Sequence, residues 1–205
     1  VILLAVVGPA AARTITLTAD DCDRMAGLSP KSPRSSWALV QYSPGTFDTA
    51  HQLQLYQGHA LLMRFPLDQI PKGQRITKAE LTVKVDHVDG APLLPVRRVL
   101  AEWGHGVCHL YRMTYPEKIA WSQPGGQGAA ADRAHKDTAV IHAKAIGEYT
   151  IDVTEDVELW YTGAAANRGW IFAIESGYSL FMPSPYSPAR DGGKQWKLRI
   201  TYEPQ

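Results

Sequence analysis

Ile151-Asp152-Val153-Thr154-Glu155, continued by Trp160-Tyr161, is the stretch on which the architecture turns. Asp152 and Glu155 have the spacing of a capping box. In that arrangement an acid at the N-cap accepts an orphan backbone N–H of the first turn, and the Glu three residues on reaches back to the cap. Val153, Val157, Trp160 and Tyr161 recur at helical spacing. The pattern predicts a helix of about two turns near residues 154–161 with one side on a core. Nearly everything around it reads as strand and turn, so the chain is expected to be all-β with one short helix inserted late.

Alternation carries the rest of that reading. Leu61, Met63, Phe65 and Leu67 share one strand face, with Arg64 on the other. Leu81, Val83 and Val85 oppose Thr82, Lys84 and Asp86, and Trp196, Leu198, Ile200 and Tyr202 oppose Lys197, Arg199, Thr201 and Glu203. A period of two marks half-buried antiparallel strands. Turn signals separate them at Pro71-Lys72-Gly73, Asp89-Gly90-Ala91-Pro92, Pro124-Gly125-Gly126 and Asp191-Gly192-Gly193. Many short strands with such punctuation argue for a two-sheet antiparallel sandwich. The stretch 104–133 is rich in Gly, Pro and aromatics and is expected to be an ordered surface loop.

A length of 205 residues suits one β-sandwich domain, placed at 13–205. A formal net charge of +1 gives no basis for nucleic acid or an anionic membrane as partner. Asn167, the one asparagine, precedes Arg168-Gly169, so there is no N-glycosylation sequon. Val1 to Val7 is almost wholly apolar and leads to Gly8-Pro9 and Ala10-Ala11-Ala12. That reads as the remnant of a secretory signal peptide over 1–12, the other reading being a buried first strand. On the first reading the mature protein starts near Arg13 and is secreted or held at the cell surface. No other stretch is long and apolar enough to cross a bilayer. Cys22 and Cys108 then fit a single disulfide, with two unpaired buried thiols as the alternative.

The order of motifs resembles a known family. Leu62-Met63-Arg64-Phe65 leads to Ile70-Pro71-Lys72-Gly73 and Ile76-Thr77-Lys78-Ala79-Glu80-Leu81, then to Val96-Arg97-Arg98-Val99 and Glu102-Trp103-Gly104. Trp121 precedes Pro124-Gly125-Gly126, and Tyr149-Thr150-Ile151-Asp152-Val153-Thr154 leads to Trp160, Gly169-Trp170 and the closing Lys197-Leu198-Arg199-Ile200-Thr201-Tyr202. This series, over about 14–203, resembles the DNRLRE domain family of secreted bacterial proteins. The resemblance implies a β-sandwich of jelly-roll type. It also implies a non-catalytic carbohydrate-binding module, since some members bind alginate; others are cell-surface proteins.

Two functions follow as expectations: a binding module for an acidic polysaccharide such as alginate, or a structural or adhesive protein of the cell surface. The first rests on Arg64, Lys84, Arg97 and Arg98, which fall on adjacent expected strands. Facing outward on one sheet they would form a basic groove for uronate carboxylates; solvated strand faces are the alternative. Trp37, Tyr42, Trp121 and Tyr186 are candidates for stacking on sugar rings, whereas Trp103, Trp160 and Trp170 are expected in the core. His105, Cys108 and His109 superficially offer metal ligands, but nothing repeats the pair and a plain loop is the better reading. Asp20, Asp21 and Asp23 read as an acidic turn rather than a calcium site. Asp152 and Glu155 are assigned to capping, not to glycoside hydrolysis. With no Gly-x-Ser-x-Gly elbow, paired-His zinc helix or phosphate loop, no enzyme and no cofactor are expected.

Overall fold

The computed structural model describes residues 11–40, 52–175, 179–183 and 196–205. Tyr42, Tyr186, the Asp191-Gly192-Gly193 turn and all but the last two residues of the expected signal remnant lie outside the described residues, and of Trp37 only the backbone is described. The strands are β1 (Arg13–Thr18), β2 (Arg24–Leu28), β3 (Trp37–Val40), β4 (Gln52–Leu55), β5 (Ala60–Arg64), β6 (Gln74–Val85), β7 (His87–Asp89) and β8 (Leu93–Arg98). They continue with β9 (Tyr111–Met113), β10 (Ile119–Ala120), β11 (Ala139–His142) and β12 (Gly147–Asp152). After the helix α1 (Thr154–Tyr161) come β13 (Trp170–Ala173), β14 (Ser179–Pro183) and β15 (Lys197–Pro204).

Every pairing among these strands is antiparallel. A four-stranded sheet runs β1-β15-β6-β12 and a six-stranded sheet runs β11-β8-β13-β5-β2-β3. A three-stranded sheet, β4-β14-β7, and the β9-β10 hairpin complete the set. The architecture is all-β and sandwich-like, because the two larger sheets share one core. Leu17, Leu81, Val83, Val85, Leu198 and Ile200 face it from one side, and Met25, Leu61, Met63, Val96, Trp170 and Phe172 from the other. The period of two places these side chains inward as expected, Trp196 and Tyr202 included.

The helix occupies the expected residues and packs through Val157 and Trp160, the latter with its ring centroid 4.6 Å from that of Trp170. The Tyr161 hydroxyl donates to the Pro71 carbonyl at 2.6 Å, and Thr154 Oγ1 accepts from Ala79 N at 2.9 Å. These bonds fasten both ends of α1 to β6 or the turn before it. The capping box needs correction. The N-cap residue is Val153, with no side-chain cap bond. Asp152 Oδ1 accepts from Thr154 N at 2.9 Å, while Glu155 reaches Lys136 at 3.3 Å instead of turning back. Val153 N is already engaged by the Ala79 carbonyl, so the strand β6 does part of what a cap would do.

The strand β5 also departs from expectation. It is buried on both faces, since Ala60 and Leu62 point away from the main core into a second cluster with Ala26, Leu28, Ile171 and Ala173. That cluster is closed by Val99, Trp103, Val107 and Trp121 from the chain between β8 and β11. The expected surface loop is therefore a cover over the outer face of the six-stranded sheet. Gly169 lets the sheet close beneath it. At φ +77° it sits where a Cβ would lie 2.0 Å from the Met63 carbonyl oxygen.

Candidate functional site

The cover is organised by one carboxylate. Asp132 accepts hydrogen bonds from Ser122 N, Ser122 Oγ, Gln123 N and Gly128 N, all between 2.9 and 3.0 Å. Its own carbonyl accepts from Leu100 N and Ala101 N. The two ends of the excursion are thus tied together. Trp121 is only 5 % exposed, and its indole N–H donates to the Cys108 carbonyl at 2.9 Å. The stacking role expected for Trp121 needs correction: its ring belongs to the packing under the cover. Trp103 is buried likewise, donating to the Arg168 carbonyl at 2.8 Å.

The four expected cations do not build one groove. Lys84 lies on β6 of the four-stranded sheet, 3.6 Å from Asp86. Arg64, Arg97 and Arg98 lie on the other sheet. Arg98 is opposite the inward Trp170 and reaches Asp156 at 3.0 Å, whereas Arg97 is opposite the outward Ile171 and is held by Asp137 and Glu175. The Arg97 guanidinium keeps the Glu175 carboxyl below its ordinary range. Arg64 is joined through two nitrogens to Asp23. Adjacent positions on one strand point to opposite faces, so Arg97 and Arg98 could not have shared a surface. All four are engaged by carboxylates of the protein itself.

A different set of arginines converges on Glu102. Arg24 Nη1 donates to Glu102 Oε1 at 2.7 Å and Arg168 Nε to Oε2 at 3.3 Å. Arg112, in the middle of β9, donates from Nη1 to the Glu102 carbonyl at 2.5 Å. Two guanidinium groups therefore hold the Glu102 carboxylate, and a third is held by its backbone carbonyl. Glu102, Asp132, Arg112, Arg168, Ile119 and Trp121 line an open groove of about 500 Å³ there, two acids facing two arginines. The sides of the groove come from the β9-β10 hairpin, where Lys118 lies over the Tyr111 ring at 4.3 Å. Strand alternation puts Arg112 opposite in direction to Tyr111 and Met113. The Gly104 N–H to Arg112 carbonyl bond, 2.9 Å, fixes β9 against the segment carrying Glu102.

A second cavity, about 250 Å³, lies beside the start of α1 and is lined by Arg98, Lys136, Asp152, Glu155 and Asp156 among others. Burial pushes the Asp156 carboxyl above its ordinary value. Its oxygens are already occupied by Thr138 Oγ1 at 2.6 Å, the Trp170 indole N–H at 2.8 Å and Arg98. Asp156 is a joint between helix and sheet, not an acid waiting for a substrate.

The expected Cys22–Cys108 disulfide does not form: both are buried free thiols. Cys22 belongs to the core between the sheets, its thiol donating to the Arg64 carbonyl at 2.9 Å. Burial pushes that thiol up to about 12. Cys108 lies in the cover next to Val107, so the six-stranded sheet separates the two. His105 is exposed against the Tyr115 ring. Among the described residues no group of three or more His, Cys, Asp or Glu side chains is arranged to hold a metal ion. Asp21 accepts from Thr18 N at 2.8 Å, which lowers its carboxyl, and Asp23 holds Arg64.

No protein-family model and no curated protein matches this sequence. Arg112, Arg168 and Glu102 were not among the residues expected at a site. Their signal was an arginine inside the Tyr111–Pro116 run of the long excursion and another just before Gly169-Trp170.

Proposed function

We propose that this chain is a secreted, non-catalytic module that binds an acidic polysaccharide such as alginate, on a β-sandwich of jelly-roll type. The observation that carries the reading is Arg112. It lines an open groove, and its hydrogen-bond partner among the described residues is a backbone carbonyl, not a carboxylate. A planar guanidinium with donors left over suits a uronate carboxylate, which takes two parallel N–H···O bonds. Arg168 adds a second cation on the same groove. The resemblance to DNRLRE domains, some of which bind alginate, supports the same ligand class.

Calorimetry with alginate oligomers and a neutral glucan oligomer, at low and high salt, tests this. The expected result is heat from alginate alone, fading with salt because exposed charge contacts are screened over about 8 Å at physiological ionic strength. Arg112→Gln should weaken binding about tenfold, which is about 1.4 kcal/mol. Equal binding of the neutral glucan, or an unaffected Arg112→Gln, contradicts the reading. A structural or adhesive role is favoured by one other feature: Leu93, Val140 and Ile146 are exposed at the side of the molecule bounded by β11. Concentration-dependent self-association in sedimentation, lost in Val140→Lys, would support that role instead.

A further inference from the structure

We infer that Glu102 is a built-in competitor for the ligand carboxylate at Arg168, and so sets the selectivity of the groove for polymers bearing many carboxylates. The inference rests on the polyuronate reading of that groove.

The two oxygens of Glu102 have unequal partners. Oε1 makes a 2.7 Å contact with Arg24, whose side chain is only 16 % exposed and also donates to the Trp103 carbonyl. A cation so buried needs a countercharge, and removing it would be costly. Oε2 makes a single 3.3 Å contact with Arg168, whose side chain is 31 % exposed, and Glu102 itself is 44 % exposed. A lone, long, solvent-facing contact of this kind contributes little. The backbone of Glu102 is held in place, because Ala101 N is bound to the Asp132 carbonyl and the neighbouring Trp103 ring is anchored on the Arg168 carbonyl. The carboxylate is therefore presented at the groove by a fixed frame, with one firm bond inward and one weak bond outward.

A uronate entering the groove meets Arg112, which has no carboxylate of its own among the described residues, and Arg168, which is half-claimed. The ligand carboxylate can replace Oε2 at Arg168 with two better aligned bonds. Arg24 keeps Glu102 from leaving, so the displaced oxygen stays nearby and repels the incoming charge. A single carboxylate gains little from this exchange. A chain that engages Arg112 with one sugar holds the next at high effective concentration near Arg168.

Glu102→Gln separates these effects. Its amide oxygen can still accept from Arg24, while the charge opposing the ligand and the claim on Arg168 are gone. Binding of alginate oligomers, measured by calorimetry after a thermal melt has shown the variant folded, should tighten about threefold, the size of one exposed ion pair. Binding of galacturonic acid monomer should gain proportionally more. In an Arg168→Gln background the same substitution should gain less than in the wild type. If Arg112→Gln loses alginate binding while Glu102→Gln binds no better than wild type, Glu102 is a structural partner of Arg24 and the inference is overturned. If Arg112→Gln binds as wild type, the groove reading falls and this inference falls with it. A measurement on the unaltered protein covers the case of an unfolded variant. On titration with alginate oligomer the arginine Nε resonance of Arg168 should move and that of Arg24 should not; movement of both or neither overturns the competitor role.

Discussion

Asp132 is 3 % exposed, yet it lies on a stretch that composition marks as loop. Its value comes from the backbone it satisfies: three amide N–H groups and a hydroxyl point at one carboxylate. Glycine at 128 is what lets them converge, since a Cβ there would sit 1.8 Å from Ser122 Oγ. Asp132→Ala leaves buried donors without acceptors, and stability should fall by about 2–3 kcal/mol in denaturant titration. A loss under about 0.5 kcal/mol would show that water replaces the carboxylate there without penalty. Asp152 makes one bond, to Thr154 N, at an exposed position. Asp152→Ala should lower stability by about 0.5–1 kcal/mol, and an unchanged melting midpoint would refute its role at the helix start. The sequence singled out Asp152 as a capping acid, a role the structure replaces with one bond to Thr154 N, and missed Asp132. An acid three residues before a Glu has a local pattern; an acid that gathers amides from 122 to 128 does not.

The elements with strong periodicity are those the sequence reveals. The strands β6 and β15 and the helix α1 bury the residues that alternation and helical spacing assign to them. The excursion between β8 and β11 has no period, so its docking on the outer sheet face was invisible, and with it the burial of Trp121 and the exposure of the Arg112 groove. Two imidazoles bear on how that cover stays down. His59 and His109 are both buried enough to lower their affinity for a proton below the ordinary value of 6.5, and their Nδ1 atoms are buried without a hydrogen-bond partner. Depressed histidines favour the folded state while neutral. Their contribution is complete above the unfolded value and is lost as pH falls below 6.5, because the unfolded chain then takes up protons that the folded one resists. Lys31 and His109 add to the effect at His59. Asp156 acts in the opposite sense at lower pH, its raised carboxyl making protonation favour the fold. The thermal midpoint should therefore drop between pH 7.5 and 5.5, and the His59→Gln/His109→Gln variant should show a smaller drop. An equal drop in both proteins would remove the histidines from the explanation.

At the level of the whole molecule, the two larger sheets and the cover stack as three layers, and the Arg112 groove lies in the outermost. Charge explains why the expected cations failed as a site. Arg64, Arg97 and Arg98 each have an acid in reach that the linear sequence does not bring near them, and Lys84 has Asp86 two residues on. Asp137 and Glu175 lie about 40 and 80 residues from Arg97 along the chain and still close on it. Arg112 differs because its bond goes to the Glu102 backbone carbonyl, while the Glu102 carboxylate is taken by Arg24 and Arg168. If the groove is the binding surface, Arg97→Gln should leave alginate affinity within about twofold in calorimetry, whatever it does to stability. A loss as large as that of Arg112→Gln would return the site to the sheet face. The most direct measurement is a crystal structure of the protein with an alginate oligomer. A uronate carboxylate within hydrogen-bond distance of the Arg112 guanidinium, with the next sugar toward Arg168, is the result expected; an oligomer seated on Arg64 and Arg97, or on any surface away from the groove, would contradict it.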